Sequence, residues 1–398
     1  MSEKAPDTDG NGRQRKKAWR KTNTASGNRY DRSEWAGAFG DLGTLIPFII
    51  GYISILKLDP LGVLFVFGVF LVVSGLYYKT PMPVQPMKAI GGAAITQTAL
   101  ITPGAVYGAG LFTGLFWLVL GLSGTLKYVS KIAGKPVIRG IILGLGLLFI
   151  MEGTALMKAD LPVAFAALAL TFMLLSNKRV PAMFALLVFG VIVALVKNPG
   201  IWQELAAIRP DFRLPRFYPG ALTWRELATG TLILAIPQIP LTLGNAVIAV
   251  TAENNRLFPD SPVSEKKIAV SQGLMNLIAP LWGGVPVCHG AGGMAGHVRF
   301  GARTGGSLVI LGGALLLLGL CFSNSVLLLF NIIPSCVLGV ILFFAGLELA
   351  VSARDTDQGK SDFHILLITA GFTMWNVGIG FLAGLVMQEM VRRKMIEF

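Results

Sequence analysis

The residues best suited to chemistry in this chain lie in two apolar stretches that are broken by proline and glycine. One runs from Leu281 to Arg303, reads LWGGVPVCHGAGGMAGHVRFGAR, and contains Pro286, His289 and His297. The other runs from Thr80 to Gly92 and reads TPMPVQPMKAIGG. Such an irregular backbone cannot face lipid, because its unpaired amide and carbonyl groups would find no partner there. Matching interrupted segments in two halves of a chain are typical of a transporter's binding site, so both stretches predict walls of an enclosed cavity.

The composition is that of a membrane protein. Of the 398 residues 54% are hydrophobic and 14% are charged, and the mean hydropathy is +0.66. The charged fraction lies well below the roughly 25% of soluble domains, and the apolar runs of about 15–25 residues predict a polytopic all-α membrane protein. The net charge of +13 lies mainly in the first 34 residues, in short loops and at the last basic residues, so it favours a membrane and predicts no nucleic-acid partner.

The residue types argue against metal, cofactor and nucleotide chemistry. Three cysteines, Cys288, Cys321 and Cys336, lie in or beside apolar segments without CxxC or metal spacing, so we expect neither a disulfide framework nor a metal site. The chain has no GxxxxGK[ST] loop, so we expect no ATP hydrolysis. Cys288 and His289 are a poor nucleophile and base pair, because adjacent helical residues point about 100° apart. An intramembrane enzyme is therefore not expected.

The polar and apolar segments divide the chain into five parts. They are a disordered basic cytoplasmic tail (1–34), a first repeat of seven segments (35–196), an external linker (197–223), a second repeat of seven segments (224–393) and a cytoplasmic C-terminus (394–398).

The spacing of the prolines predicts that the two repeats are related. Pro83 and Pro286 are 203 positions apart, and Pro47 and Pro240 are 193 apart, close to half the chain in both cases. An odd number of segments in each half forces the halves into opposite orientations. We therefore expect about fourteen transmembrane segments in a seven-plus-seven inverted repeat, with the two broken stretches as segments 3 and 10.

Loop charges predict the orientation of the chain. With the tail inside, the basic loops fall on the cytoplasmic side as the positive-inside rule requires, except for the linker 197–223, which contains acidic residues too. We expect an integral protein of the cell (inner) membrane with both termini cytoplasmic. The loop residues are Lys79, Lys127, Lys131, Lys135, Lys178, Arg179, Lys266, Lys267, Arg354 and Lys360.

Each broken stretch predicts a half-helix with a short extended lead-in. The lead-ins are Pro83-Val84 and Pro286-Val287, and the half-helices are Gln85–Ile95 and Cys288–Phe300, beginning near mid-membrane. Inverted symmetry would point the two starts at each other. Each start offers unpaired amides and about half a positive charge, which suits an anion.

The candidate site residues lie at these starts and in two proline-broken spans, about Trp35–Leu56 and Trp224–Ala252, the first of which should be loosened near its centre around Asp41 and Pro47. Lys88 is costly in lipid, so it should face either the anion or an ion-pair partner, for which Asp41 is the obvious candidate. An ionised Asp41 would repel an anion, unless it carries a coupled proton or pairs with Lys88. His289 could be a second proton-coupling residue or a neutral buried histidine that donates to a carbonyl. The predicted substrate-binding residues are Val84, Gln85, Met87, Lys88, Cys288, His289, Gly290, Ala291, Thr44, Gln238 and Asn245.

Four segments in this order also resemble a known family. They are GAFGDLGTLIPF (37–48), PMPVQPMKAIGG (81–92), PQIPLTLGNAV (237–247) and CHGAGGMAGHVRFGAR (288–303). Together they resemble the molybdate transporter family, the short relatives of the sulfate permeases, from about 35 to 393. The resemblance implies fourteen segments, a core domain that moves against a gate domain, and an oxyanion bound between segments 3 and 10. Sulfate permeases usually carry a soluble regulatory domain after the last segment, and this chain stops at Phe398, so that domain's roles do not carry over.

These observations together predict a secondary active transporter of a tetrahedral oxyanion, with molybdate first and sulfate second. Transport would proceed by alternating access, with proton symport through Asp41 or His289. A nucleobase or organic anion permease of the same fold and a non-transporting anion sensor remain alternatives. Whether the chain forms a homodimer stays open.

Overall fold

The computed structural model describes residues 27–97, 100–126, 134–175, 177, 182–206, 208–217, 222–354 and 359–396. Several sequence predictions lie outside these residues: most of the tail, part of the linker, the last two residues, and the loop residues Lys127, Lys131, Lys178 and Arg179.

The described residues are mostly helical. The first half contains α1 (Arg32–Ala38), α2 (Leu42–Ile50), α3 (Pro60–Tyr78), α4 (Lys88–Thr96), α5 (Pro103–Ser123), α6 (Lys135–Met157), α7 (Leu161–Leu174), α8 (Ala182–Lys197) and α9 (Ile201–Ala206). The second half contains α10 (Trp224–Leu257), α11 (Glu265–Ile278), α12 (Ala291–Arg299), α13 (Gly306–Ile332), α14 (Ser335–Ser352), α15 (Lys360–Trp375) and α16 (Val377–Arg392). Two short strands, β1 (Gln85–Pro86) and β2 (Val287–Cys288), precede α4 and α12.

Several helices are long and apolar enough to cross a membrane. Among the described residues these are α3, α5, α6, α10 and the Gly306–Val326 part of α13, with a sixth if α1 and α2 are taken as one bent span. The prediction of an α-helical protein with several membrane-spanning helices is confirmed. The count of fourteen segments stays a prediction.

The first span bends where the sequence predicts a loosened helix. A 3₁₀ turn at Phe39–Asp41 separates α1 from α2, and the two parts of the span meet at an angle of 52°. Pro47 removes one amide from α2, and the π-helical residues Gly51–Ile55 follow. The bend places Asp41 inside the protein, where its exposed fraction is 6%.

The eighth predicted span, α10, is continuous where an interruption was expected. Pro237 and Pro240 lie between two π-helical segments, Gly230–Ala235 and Thr242–Ala249, and the helix runs on to Leu257. Proline cannot donate the usual hydrogen bond to the preceding turn, and the wider π turns accommodate that loss without ending the helix.

Helices α13 and α14 meet at Pro334. Helix α13 runs to Ile332 through a non-helical residue, Phe322 (φ −138°, ψ 15°), and α14 begins at Ser335. Pro334 then starts α14, since its missing amide and fixed φ suit the residue just before a new helix.

Helices from the two halves pack against each other in pairs. Helix α3 packs along α13, α5 along α11, and α6 along α14. In the last pair a Cβ on Gly146 would lie 2.7 Å from the carbonyl oxygen of Gly346, and one on Gly346 would lie 2.6 Å from that of Gly146. The backbones therefore approach at a distance that only glycine permits, as in many membrane helix pairs.

A buried carboxylate joins α1 to the start of α13. The Oε1 atom of Glu34 accepts from the amides of Arg303 and Thr304 at 2.9 Å each, and its Oε2 accepts from the amide of Ser307 at 3.1 Å. Glu34 is 1% exposed. A negative group is favourable there, because the start of a helix carries a partial positive charge and unpaired amides.

Replacing Glu34 with alanine should destabilise the protein strongly. E34A leaves three buried amides without an acceptor, each at a cost of about 1–3 kcal/mol. We expect the thermal unfolding midpoint of the purified protein to fall clearly further than in E253A, which removes a surface ion pair with Arg256 worth about 0–1 kcal/mol. Equal midpoints for the two variants would contradict the capping role of Glu34.

Candidate functional site

The two broken stretches meet through β1 and β2, which form an antiparallel pair. Gln85 lies opposite Cys288 in this pair, and the amide of Met87 donates to the carbonyl of Pro286 at 3.0 Å. Backbone groups of the two broken stretches therefore pair with each other across the two halves of the chain. This pairing supplies the internal partners that irregular backbone needs inside a membrane.

The two short helices begin later than the sequence suggests. Helix α4 starts at Lys88 instead of Gln85, and α12 starts at Ala291 instead of Cys288. The preceding residues are extended because Pro86 lacks an amide and disfavours helical geometry in the residue before it. Lys88 is consequently the first residue of its helix, and the prediction that it lies one turn inside is wrong.

Each helix start presents backbone amides without partners. Within the described residues, the amides of Lys88, Ala291 and Gly292 carry no hydrogen bond, whereas the amide of Ala89 donates to Oε1 of Gln238 at 2.7 Å. At Gly292 a Cβ would meet open space. The start of α12 is therefore accessible from a cavity.

The Lys88 side chain adds a full positive charge to the start of α4. Lys88 is half-buried, and it forms no ion pair within the described residues, so the predicted pair with Asp41 is absent. A cation is unfavourable at the positive end of a helix unless an anion compensates it. The charge of Lys88 and the partial charge of the helix start therefore have the same sign at this place.

Asp41 is instead held by Gln85. The Nε2 atom of Gln85 donates to both carboxylate oxygens of Asp41 at 2.8 Å, and Thr44 lies beside the same carboxylate. A Cβ on Gly293 would lie 2.6 Å from Asp41 Oδ2 and 2.7 Å from Gln85 Nε2, so α12 can pass this pair only with a glycine there. Oε1 of Gln85 is buried without a partner.

His289 links the first broken stretch to α11 through two hydrogen bonds. Its Nδ1 donates to the carbonyl of Pro83 at 2.7 Å, and its Nε2 forms a hydrogen bond with the hydroxyl of Ser271 at 2.9 Å. The ring also meets Tyr78 edge-on, with centroids 5.5 Å apart. A carbonyl only accepts, so Nδ1 carries a hydrogen and donates to a backbone carbonyl, as one of the two interpretations from sequence expected.

Helix α11 contributes positioning residues that the sequence analysis did not single out. Asn276 accepts from the amide of Val287 at 2.8 Å and donates to its carbonyl at 2.7 Å, so its side chain pairs with the outer edge of β2. Gln272 donates to the carbonyl of Ala246 in α10 at 3.1 Å. Both side chains are fully buried. The sequence does contain a signal for these residues, because two amide side chains lie four positions apart in an apolar span. Polar groups are costly in such a span, so their presence there indicates a function.

Two cavities reach the helix starts. The larger, of about 780 Å³, lies between the first turns of α6 and the second half of α10, and we call it the basic cavity because its charged lining residues are Lys88, Lys135 and Arg139. The smaller, of about 380 Å³, lies between α12 and α14, and we call it the mixed cavity because Asp41 and Glu348 line it together with two cations.

The structure divides the predicted site residues among three places. Lys88, Gln238, Asn245 and Cys288 line the basic cavity, and Thr44, Asp41 and Lys88 line the mixed cavity. Ala291 is half-buried at the first position of α12. The remaining residues are buried in the wall around the strand pair: Val84, Gln85, Met87, His289 and Gly290.

Comparison with known proteins places this arrangement in a family. The family model described as "Molybdate transporter of MFS superfamily" matches residues 33–149 and 230–349, which contain both broken stretches. The chain belongs to the molybdate transporter family. Molybdate transporter 2 of Arabidopsis thaliana is 32% identical over 92% of this chain and 88% of its own length, and molybdate transporter 1 of the same plant is 33% identical over 88% and 86%.

The fold is shared with a solved anion transporter. The transmembrane domain of a cyanobacterium bicarbonate transporter, BicA, superimposes with a TM-score of 0.66 at 17% identity, covering 89% of this chain and 97% of that one.

Membership of the molybdate transporter family confirms the prediction that the chain is not an enzyme. It also confirms the resemblance carried by the four sequence segments.

Removing the Asn276 side chain should loosen β2. N276A leaves the amide and carbonyl of Val287 without side-chain partners, at about 1–3 kcal/mol for each buried group. We expect a lower unfolding midpoint and faster thiol labelling of Cys288, which is 3% exposed. The matched control is N324A, which alters an exposed asparagine bonded to Arg213. Unchanged labelling of Cys288 in N276A would contradict the positioning role.

Proposed function

We propose that this protein is a secondary active transporter that carries molybdate across a membrane by alternating access. The anion would bind between the starts of α4 and α12, beside Lys88. The observation that carries this proposal is the pair of unpartnered helix starts, joined by β1 and β2 and reached by a cavity with a wholly positive charged lining.

Charge balance supports a doubly negative ligand. Each helix start is equivalent to about half a positive charge, and Lys88 adds one, so the site offers about two positive charges to a dianion. Unbonded amides at the same place supply directed hydrogen bonds to oxyanion oxygens. Family membership favours molybdate among tetrahedral dianions.

The surrounding side chains divide into donors and positioning residues. The Oε1 atom of Gln238 accepts from the amide of Ala89, and its Nε2 donates to the hydroxyl of Thr242 at 2.9 Å. Gln238 therefore orients the start of α4. Asn245 faces the basic cavity beside Gly290, where a Cβ would lie 3.3 Å from its Nδ2. We therefore assign Asn245 as an anion donor and Gln238 as a positioning residue.

The helix pairing supports a seven-plus-seven inverted repeat. If α3 corresponds to α11 and α5 to α13, the packing of α3 on α13 and that of α11 on α5 are equivalent. The same symmetry then maps the β1–β2 pair onto itself and the α6–α14 pair onto itself. The reciprocal contacts of Gly146 and Gly346 fit that symmetry. Counting α1 with α2 as one span and omitting the short α9, the helices of the described residues number fourteen. We assign α1–α5 and α10–α13 to the core domain and α6–α8 and α14–α16 to the gate domain.

The orientation follows from the loop charges. The basic cavity is lined by Lys135 at the start of α6, on the side that the positive-inside rule places in the cytoplasm. We assign both termini to the cytoplasm, the membrane to the cell (inner) membrane, and this conformation to the inward-facing state.

Asp41 is our candidate for proton coupling. It is buried, it is held by the neutral amide of Gln85, and it forms no ion pair within the described residues. Its ionised form would repel a dianion at the helix starts, so protonation would favour loading. His289 is less suited, because both ring nitrogens already have partners.

Removing the Lys88 charge should weaken anion binding. A charge-assisted hydrogen bond contributes about 1.5–3 kcal/mol, so K88A should raise the molybdate Kd about 10- to 150-fold. Calorimetry on purified protein measures this, with sulfate as competitor because it has the same charge and shape. The control is K267A, which removes an exposed lysine from the ring of Tyr77 outside both cavities. Wild-type affinity in K88A would contradict the assigned site.

Lys135 should accelerate anion capture without setting the final affinity. At about 0.01 M ionic strength, K135Q should reduce the initial rate of molybdate uptake into vesicles, and the difference should vanish near 1 M, where the Debye length is about 3 Å. The control K158Q neutralises an exposed lysine beyond the other end of α6. An equal loss in both variants would contradict steering through the basic cavity.

A further inference from the structure

The two cavities meet at the helix starts but have almost separate walls. Only Lys88 and Gly292 line both of them. Gly292 is exposed, and a Cβ on it would meet nothing within 4 Å. Two routes therefore lead to one place.

The mixed cavity differs from the basic cavity in charge. Buried Asp41 and exposed Glu348 of α14 both line it. Arg299 also lines this cavity, but one of its guanidinium nitrogens donates to the carbonyl of Leu175 at the end of α7 at 2.6 Å. The two carboxylates and two cations of the mixed cavity balance, so this cavity lacks the net positive charge with which the basic cavity attracts a dianion, and it offers carboxylate oxygens that can accept a proton.

The groups around Asp41 form a setting in which a proton can be held. His297 of α12 lies within electrostatic reach of the carboxylate, is 1% exposed, donates its Nδ1 hydrogen to the carbonyl of Gly37 at 2.8 Å, and has a buried Nε2 without a partner. Glu34 of α1 is occupied by backbone amides. Among the titratable and charged groups, His297 of α12 and Lys88 of α4 act electrostatically on Asp41, and Arg299 of α12 and Glu348 of α14 line the same cavity.

From this arrangement we propose that the mixed cavity is a proton route to Asp41, separate from the anion route, with Glu348 as the residue that receives protons from solvent. This inference rests on the proposed transport function and names its second pathway. Glu348 takes a proton from a solvent hydronium ion, water in the cavity carries it inward, and an O–H bond forms on Asp41. That bond breaks when the site faces the other side, and the proton leaves with the anion.

The proposal gives the Asp41 proton a physical effect on the anion. Neutralising Asp41 removes a negative charge next to the helix starts, so proton and anion each strengthen the binding of the other. Such coupling is reciprocal and typically amounts to about 5- to 150-fold in affinity. Separate routes let both ligands reach the site without meeting in one narrow passage.

The test uses full-length protein in liposomes that contain a pH-sensitive dye, with an imposed pH gradient and molybdate added outside. Molybdate uptake and proton influx are measured in the same vesicles, and the molybdate Kd is measured separately at pH 6. We expect E348Q to slow molybdate-dependent proton influx severalfold with an unchanged Kd, and E348D to restore the rate. In D41N we expect uptake that no longer responds to the pH gradient. The matched control is E152Q, which neutralises an exposed carboxylate of α6 that lines neither cavity.

Three results would overturn the inference. Proton influx in E348Q equal to that in E152Q would show that the route does not pass Glu348. A Kd raised in proportion to the lost influx would show that Glu348 acts on the anion. Molybdate uptake without proton influx in the unmodified protein would overturn this inference and leave the proposed transport intact, whereas absence of both binding and uptake would overturn the proposed function itself.

Discussion

The structure depends on one constraint, which is that no backbone amide or carbonyl may be left facing lipid without a partner. The chain breaks two helices in the middle of an apolar environment, and it can do so because β1 and β2 pair with each other. Asn276 then pairs with the amide and carbonyl of Val287. Once these backbone groups have partners, the starts of α4 and α12 can remain unbonded and directed at a cavity, where an anion can use them.

The same constraint explains why the polar side chains around the helix starts have different roles. Gln238, Asn276 and His289 all contact backbone groups of the broken stretches. Their hydrogen bonds are used in holding the strands and the start of α4, so they set the geometry of the site. Lys88 has no such partner within the described residues. Its charge, together with the unbonded amides, is what remains for a ligand.

Charge separates the two cavities that lead to this place. The basic cavity has cations on its wall, and the mixed cavity has Asp41 and Glu348. Asp41 is close to the helix starts, because the bend at Phe39–Asp41 brings it against Gln85 and Gly293. A buried carboxylate opposes an anion bound beside it, so under the proposed function the occupancy of the site would depend on the protonation of that carboxylate.

The sequence by itself determined the membrane class, the two interrupted stretches, the bend near Asp41 and Pro47, and the four segments that place the chain in its family. Those features are local or compositional: proline removes an amide wherever it stands, and apolar length is read directly from the chain.

Only the tertiary structure decided that Lys88 begins its helix and that Gln85 rather than Lys88 holds Asp41. It likewise decided that His289 forms hydrogen bonds with Pro83 and Ser271. It also decided that Asn276 completes the edge of β2 and that Glu348 and Asp41 line the same second cavity. These outcomes join residues far apart in the chain, and hydrophobic periodicity and motif spacing carry no information about which of several polar groups will meet once the helices pack.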